Sequence, residues 1–148
     1  MKLRASPVDA APGRRILTVA LRLITAAALA MDAYVHFDLA STYDTVADVI
    51  SQGTLFRVTA VLAVVAGLLV LLVNRVWAPA FALLVAAGAL VPVLLYRYVD
   101  VGELGPIPNM YEPVWYPDKT LTAVAEVVAV AGAAALLVLA KRRSGRAA

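Results

Sequence analysis

The chain has 148 residues, 63% of them hydrophobic and 16% charged, with a formal net charge of +3. A water-soluble domain of this length needs a larger polar surface, so the composition excludes one; the lack of cysteine excludes disulfides, thiolate metal centres, iron–sulfur clusters and thiol catalysis. Basic residues gather at the chain ends with no aromatic-interleaved patch, which argues against a nucleic-acid partner and for apolar spans with positive flanks.

A membrane helix needs roughly 20 mostly apolar residues, and four stretches meet that need, at about 15–39, 54–74, 77–97 and 119–140. The first follows a basic tail, 1–14, and is the least hydrophobic, because it carries Arg22, Asp32 and His36. A signal peptide competes for this segment: Arg14 and Arg15 would form its basic start, and Ala28-Leu29-Ala30 resembles a cleavage site. Arg22 interrupts the apolar region such a peptide needs, and the residues after Ala30 stay apolar, so a retained span is the expectation. On a helical wheel, Thr18, Arg22, Thr25, Asp32 and His36 fall within about 40° of one line. A charged stripe of this kind predicts a face turned to the bundle interior, where Asp32 and His36, four residues apart, can touch.

The connection at 40–52 carries Asp44, Asp48 and Gln52 at intervals of four, with Val46, Val49 and Ile50 between them. This spacing predicts a short amphipathic surface helix ended by Gly53. The second and third spans are separated only by Asn74, Arg75 and Val76, which predicts a tight helical hairpin. Arg57 opens the second span and Arg97 closes the third. Pro79 falls in the first turn of the third, where proline is tolerated, and Pro92 falls deep inside it, where a kink is expected.

The connection at 100–119 holds four prolines and two glycines, so it forms neither a long helix nor a central strand. Its aromatics Tyr111, Trp115 and Tyr116 suit a headgroup region, and its length predicts packing against the bundle rather than a free lid. The fourth span carries Glu126 on the same face as Thr122 and precedes a basic tail, 141–148. Small residues spaced four apart, such as Ala26 and Ala30, Ala63 and Gly67, Ala82 and Ala86, and Ala125 and Ala129, permit close helix packing.

Orientation follows from where the positive charges fall. Lys2, Arg4, Arg14, Arg15, Arg75, Lys141, Arg142, Arg143 and Arg146 share one side of a four-span layout, and Asp38, Asp44, Asp48, Asp100, Glu103, Glu112 and Asp118 share the other. The expected fold is therefore an all-α membrane protein, an antiparallel four-transmembrane-helix bundle with both termini cytoplasmic and two extracytoplasmic loops, multi-pass in a bacterial cytoplasmic membrane.

Asp32, His36, Arg57, Arg97 and Glu126 bring ionisable groups to a similar depth and form a candidate polar pocket. The plain structural expectation is that Asp32 and Glu126 pair with Arg57 and Arg97, since charges in membranes are normally paired. The functional alternative is an outward-facing site for a small molecule, a proton or a metal. Asp32, His36 and Glu126 are the candidate metal ligands, because histidine with two carboxylates is a workable donor set. A single histidine excludes bis-histidine haem ligation within one protomer, and no cofactor is assigned. No Ser-His-Asp order, phosphate-cradling glycine loop or paired catalytic acids occur.

The stretch MDAYVHFDLASTYDTVADVISQGTLF, 31–56, and the segment GPIPNMYEPVWY, 105–116, resemble a family of uncharacterised small four-span integral membrane proteins of actinobacteria. There, a histidine at the end of the first span precedes an acidic or aromatic loop, then a glycine and Leu-Phe opening the second. The layout alone is also loosely similar to DoxX-type proteins. The resemblance implies a cytoplasmic-membrane location and no activity. With no catalytic signature, the leading expectation is an accessory or scaffold subunit whose partners are the lipid bilayer and either another membrane protein or further copies in a homo-oligomer. Binding or transport through the polar pocket is the alternative.

Overall fold

The computed structural model describes residues 12–144, with the side chains of 143 and 144 left out. Lys2, Arg4 and Arg146 lie outside the described residues, as does the Arg143 side chain. The described chain forms four helices, α1 (Pro12–Ala40), α2 (Gln52–Leu72), α3 (Trp77–Tyr98) and α4 (Pro117–Ser144). All four are long and apolar enough to cross a membrane. The shortest, α2, has 21 residues and is about 31 Å long at a rise of about 1.5 Å per residue, which matches the hydrocarbon thickness.

The helices run alternately up and down. α1 packs on α2 and α4, and α3 packs on the same two helices, so the four stand in a ring with α1 diagonal to α3. One end of the bundle carries the two long connections and the acidic residues, here the acidic end. The other carries the α2–α3 turn and the N-terminus of α1, here the basic end. No strand forms among the described residues; two isolated bridges, Ala47 with Ser51 and Leu104 with Ile107, tighten the long connections.

Packing follows side-chain size. Ala60, Ala63, Ala66, Ala82, Ala86, Ala129 and Ala133 are completely buried around Leu29. Large apolar residues such as Leu23, Ile24, Leu68, Leu72, Leu84, Val91 and Val124 face outward. Small residues inside let the backbones approach, which is how helices associate where lipid offers no hydrophobic drive. Ala30 faces outward, so the Ala26/Ala30 pair does not act as a unit. Gly132 of α4 sits against Thr25 of α1, and a Cβ at 132 would collide with the Thr25 hydroxyl.

The connection at 41–51 corrects the expected amphipathic helix: it is a run of turns and bends. Its carbonyls are needed elsewhere. Val46 O accepts from Gln52 N at 2.8 Å and Tyr43 O from Gly53 N at 3.1 Å, which satisfies the first amides of α2. Ser51 caps the third, accepting from Thr54 N through Oγ at 3.0 Å. A helix over 40–52 would spend those carbonyls internally. Ile50 N instead donates to Pro106 O at 3.0 Å, tying the two long connections together. The second connection packs as its length predicted, with Glu112 N donating to Tyr96 O at 3.0 Å. α3 runs through Pro92 as one helix.

Candidate functional site

The interior stripe of α1 takes its expected direction. Thr25, Asp32 and His36 are buried, and Thr18 and Arg22 are half-buried. Thr18 and Thr25 turn their hydroxyls back to the carbonyls of Arg14 and Leu21, at 2.9 and 2.7 Å. Arg22 reaches the basic end, donating to Asn74 Oδ1 at 2.9 Å. Asp32 is left facing α4.

From α4, Thr122 and Glu126 stand one turn apart on the facing side. Thr122 Oγ1 donates to Asp32 Oδ1 at 2.7 Å. His36 Nδ1 lies 2.9 Å from the same oxygen and 3.0 Å from the Asp32 backbone carbonyl. A carbonyl only accepts, so Nδ1 carries the hydrogen, and Nε2 is the nitrogen left with a lone pair. One donor atom from each of Asp32, His36 and Glu126 lies within 4.8 Å of the other two. The residues are 1%, 7% and 0% exposed. Asp32 is eight residues from the end of α1 and Glu126 nine from the start of α4, which puts the cluster about 12–14 Å below the acidic end.

Three oxygens of this cluster, Asp32 Oδ2 and both of Glu126, are buried with no hydrogen-bond partner in the protein. Two acids and a histidine thus converge in an apolar interior with more acceptors than donors. A buried acceptor left unmatched costs about 1–3 kcal/mol, and a charged one more. This imbalance is the chemical signature of the site: it is relieved by a proton held between the two carboxyls or by a bound positive group.

The expected arginine partners are not there. Arg57 forms a two-pronged ion pair with Asp44, both contacts 2.7 Å, in which the two side chains are exposed. That guanidinium holds the Asp44 carboxyl below its usual range. Arg97 stacks on Tyr98 and Trp115, 5.0 and 5.7 Å from the ring centroids. The five-residue pocket is therefore corrected to three residues plus Thr122, because α2 and α3 turn their arginines to the outer connections instead of toward α1 and α4.

A cavity of about 300 Å³ opens beside the cluster. His36 and Thr122 form part of its wall, and Phe56, Pro92, Tyr96 and Met110 supply apolar surface. Phe56 meets His36 edge to face, with centroids 5.1 Å apart. Over the cavity the two long connections are joined by a polar knot. Tyr43 Oη donates to Glu112, 3.1–3.2 Å from its two oxygens, and lies 2.9 Å from Tyr116 Oη. Lys119 Nζ donates to Glu112 O at 2.6 Å. Burial pushes both phenols above their ordinary range, and the contact between them raises Tyr116 further.

Sequence reasoning found the three acid–histidine members by their depth and spacing. It placed Thr122 on the right face without a partner, and it missed Tyr43, Glu112 and Lys119. Lys119 did leave a signal: a cation in the first turn of a helix opposes the helix dipole and needs another partner. Tyr43 left none. No protein-family model, curated protein or solved structure matches this chain, so its site is read from its own chemistry.

Proposed function

We propose that the protein is a multi-pass protein of a bacterial cytoplasmic membrane that binds a divalent metal ion between α1 and α4, reached through the cavity from the extracytoplasmic side. Asp32, His36 and Glu126 are its ligands. The observation that carries this reading is the buried cluster with three unmatched carboxylate oxygens. Two carboxylates and an imidazole suit a first-row ion, with imidazole favouring zinc or iron and carboxylate favouring manganese. A dication displaces any proton held between the two acids and balances both carboxylates in one step, whereas a water molecule brings no charge.

Thr122 and the Asp32 carbonyl act behind the ligands. The carbonyl holds the His36 ring, fixing its tautomer, and Thr122 orients the Asp32 carboxylate. The orientation rests on Arg14, Arg15, Arg75, Lys141 and Arg142, which share one end, and on the acidic residues of both long connections at the other. The outward-facing leucines and valines suit lipid tails. The metal reading replaces the accessory subunit as the leading one, since an inert scaffold has no use for uncompensated acids at this depth.

Metal analysis of purified protein tests the reading. After exposure to manganese, iron or zinc and removal of excess, wild-type protein is expected to retain about one equivalent of one of these ions. His36→Ala is expected to retain far less at unchanged helix content. Retention of none of the three by folded wild-type protein defeats the proposal, as does equal retention by the variant.

A further inference from the structure

The opposite end of the bundle carries a second feature that the metal reading does not use. A groove of about 1030 Å³ opens there between the start of α1, the α2–α3 turn and the last turns of α4. Its polar wall is Arg14, Arg15, Thr18, Arg22, Asn74 and Arg75, and Trp77 also lines it. Among the described residues no Asp or Glu lines it. Four arginines thus line one space with no carboxylate of the described residues among them.

Arg22 stands ten residues into α1, about 15 Å from its start, and its described partner is the neutral amide oxygen of Asn74. A neutral partner leaves the guanidinium charge unbalanced, so this end of the groove still attracts an anion. The start of α3 adds to the field: Val76 provides no side-chain cap, so part of the positive end of that helix is open to the groove where Trp77 and Pro79 line it. Below the arginines the wall turns apolar, with Val19, Val70, Val73, Leu136 and Leu139.

We propose that this groove binds the headgroup of an anionic phospholipid, with the phosphate diester between Arg22 and Arg75 and an acyl chain along the apolar wall. Guanidinium groups match phosphate oxygens in fork geometry, and basic pockets between membrane helices on the cytoplasmic side take such headgroups. Inorganic phosphate shares the charge chemistry, but it would leave the apolar wall and most of the volume unused. The inference rests on the helices spanning a membrane and is independent of the metal cluster.

Native mass spectrometry of the full chain in detergent tests it, after incubation with equal amounts of phosphatidylglycerol and phosphatidylcholine of matched chains. The wild-type protein is expected to retain phosphatidylglycerol preferentially. Each arginine removed is expected to lower that retention about fivefold, so the double variant Arg22→Gln/Arg75→Gln loses about 25-fold by the same constants. Should the double variant fail to fold, Arg75→Gln alone decides, because Arg75 is exposed in a turn. Arg57→Gln, at the acidic end, is expected to change nothing. Equal retention of both lipids, or undiminished retention by folded Arg75→Gln, overturns the proposal. Displacement of the lipid by millimolar inorganic phosphate overturns the lipid as the source of the anion.

Discussion

At the acidic end, Asp32, His36 and Glu126 are buried inside the helix ring, and three of their carboxylate oxygens have no partner. At the basic end, Arg14, Arg15, Arg22 and Arg75 ring an open groove. Both ends concentrate one sign of charge, and the difference between them is size and closure. Short acids on alanine-lined helices can be enclosed, and an enclosed site selects a small, highly charged ligand. Long guanidinium side chains keep their heads at the rim, and an open rim admits a large one. The two ends therefore suit ligands of opposite charge and very different volume.

The sharpest way to break this comparison is to remove an enclosed acid. Glu126→Gln keeps the shape and deletes a ligand charge, and it is expected to lower metal affinity ~100-fold or more, read by equilibrium dialysis. Thr122→Val removes only a group that orients Asp32, so a loss of about tenfold is expected, at the lower end for outer-shell partners. Equal losses from the two would mean that Glu126 is no ligand.

Closure itself can be tested at the α1–α4 seam. Gly132→Leu forces a side chain against Thr25 and is expected to cost about 1–3 kcal/mol of stability, measured by thermal unfolding in detergent. An unchanged melting temperature would show that the seam is loose and the cluster above it is not enclosed.

Smaller effects are expected over the cavity. Tyr43→Phe deletes the hydroxyl joining Glu112 to Tyr116 and should cost about 1 kcal/mol. Because burial raises both phenols, the knot contributes fully below the ordinary tyrosine pKa of about 10 and is lost as pH rises through the higher folded values. A melting profile that stays flat into strongly alkaline pH contradicts this. The smallest effect belongs to the exposed Asp44–Arg57 pair. Arg57 lowers the Asp44 carboxyl, so its contribution is present above the unfolded value of about 3.9 and is lost as pH falls through the lower folded one. Asp44→Asn is expected to remove that acid-side slope and to leave metal binding intact.

Much of this was legible in the sequence. Hydropathy located all four helices to within a few residues at most ends, and periodicity along α1 showed that Thr25, Asp32 and His36 share an inward face. These are properties of single helices. What periodicity does not supply is the rotation of one helix against another. Arg57 and Arg97 stand nearer the acidic end than the acids do, five residues into α2 and one from the end of α3, and they face Asp44 and Trp115. The 41–51 connection misled for a related reason. Its spacing is helical, but α2 needs its carbonyls and Pro106 takes its amide at Ile50, and both partners belong to segments elsewhere in the chain. The groove at the basic end was visible only as charge, because the sequence does not show that Arg22 turns down to Asn74.

The central claim is that a metal ion sits among Asp32, His36 and Glu126. Anomalous diffraction from crystals grown with manganese measures this directly. The account predicts a single strong peak within about 2.5 Å of a carboxylate oxygen of Asp32, a carboxylate oxygen of Glu126 and a ring nitrogen of His36. A peak at the exposed acids of the long connections, or no peak in a well-ordered map, would contradict it.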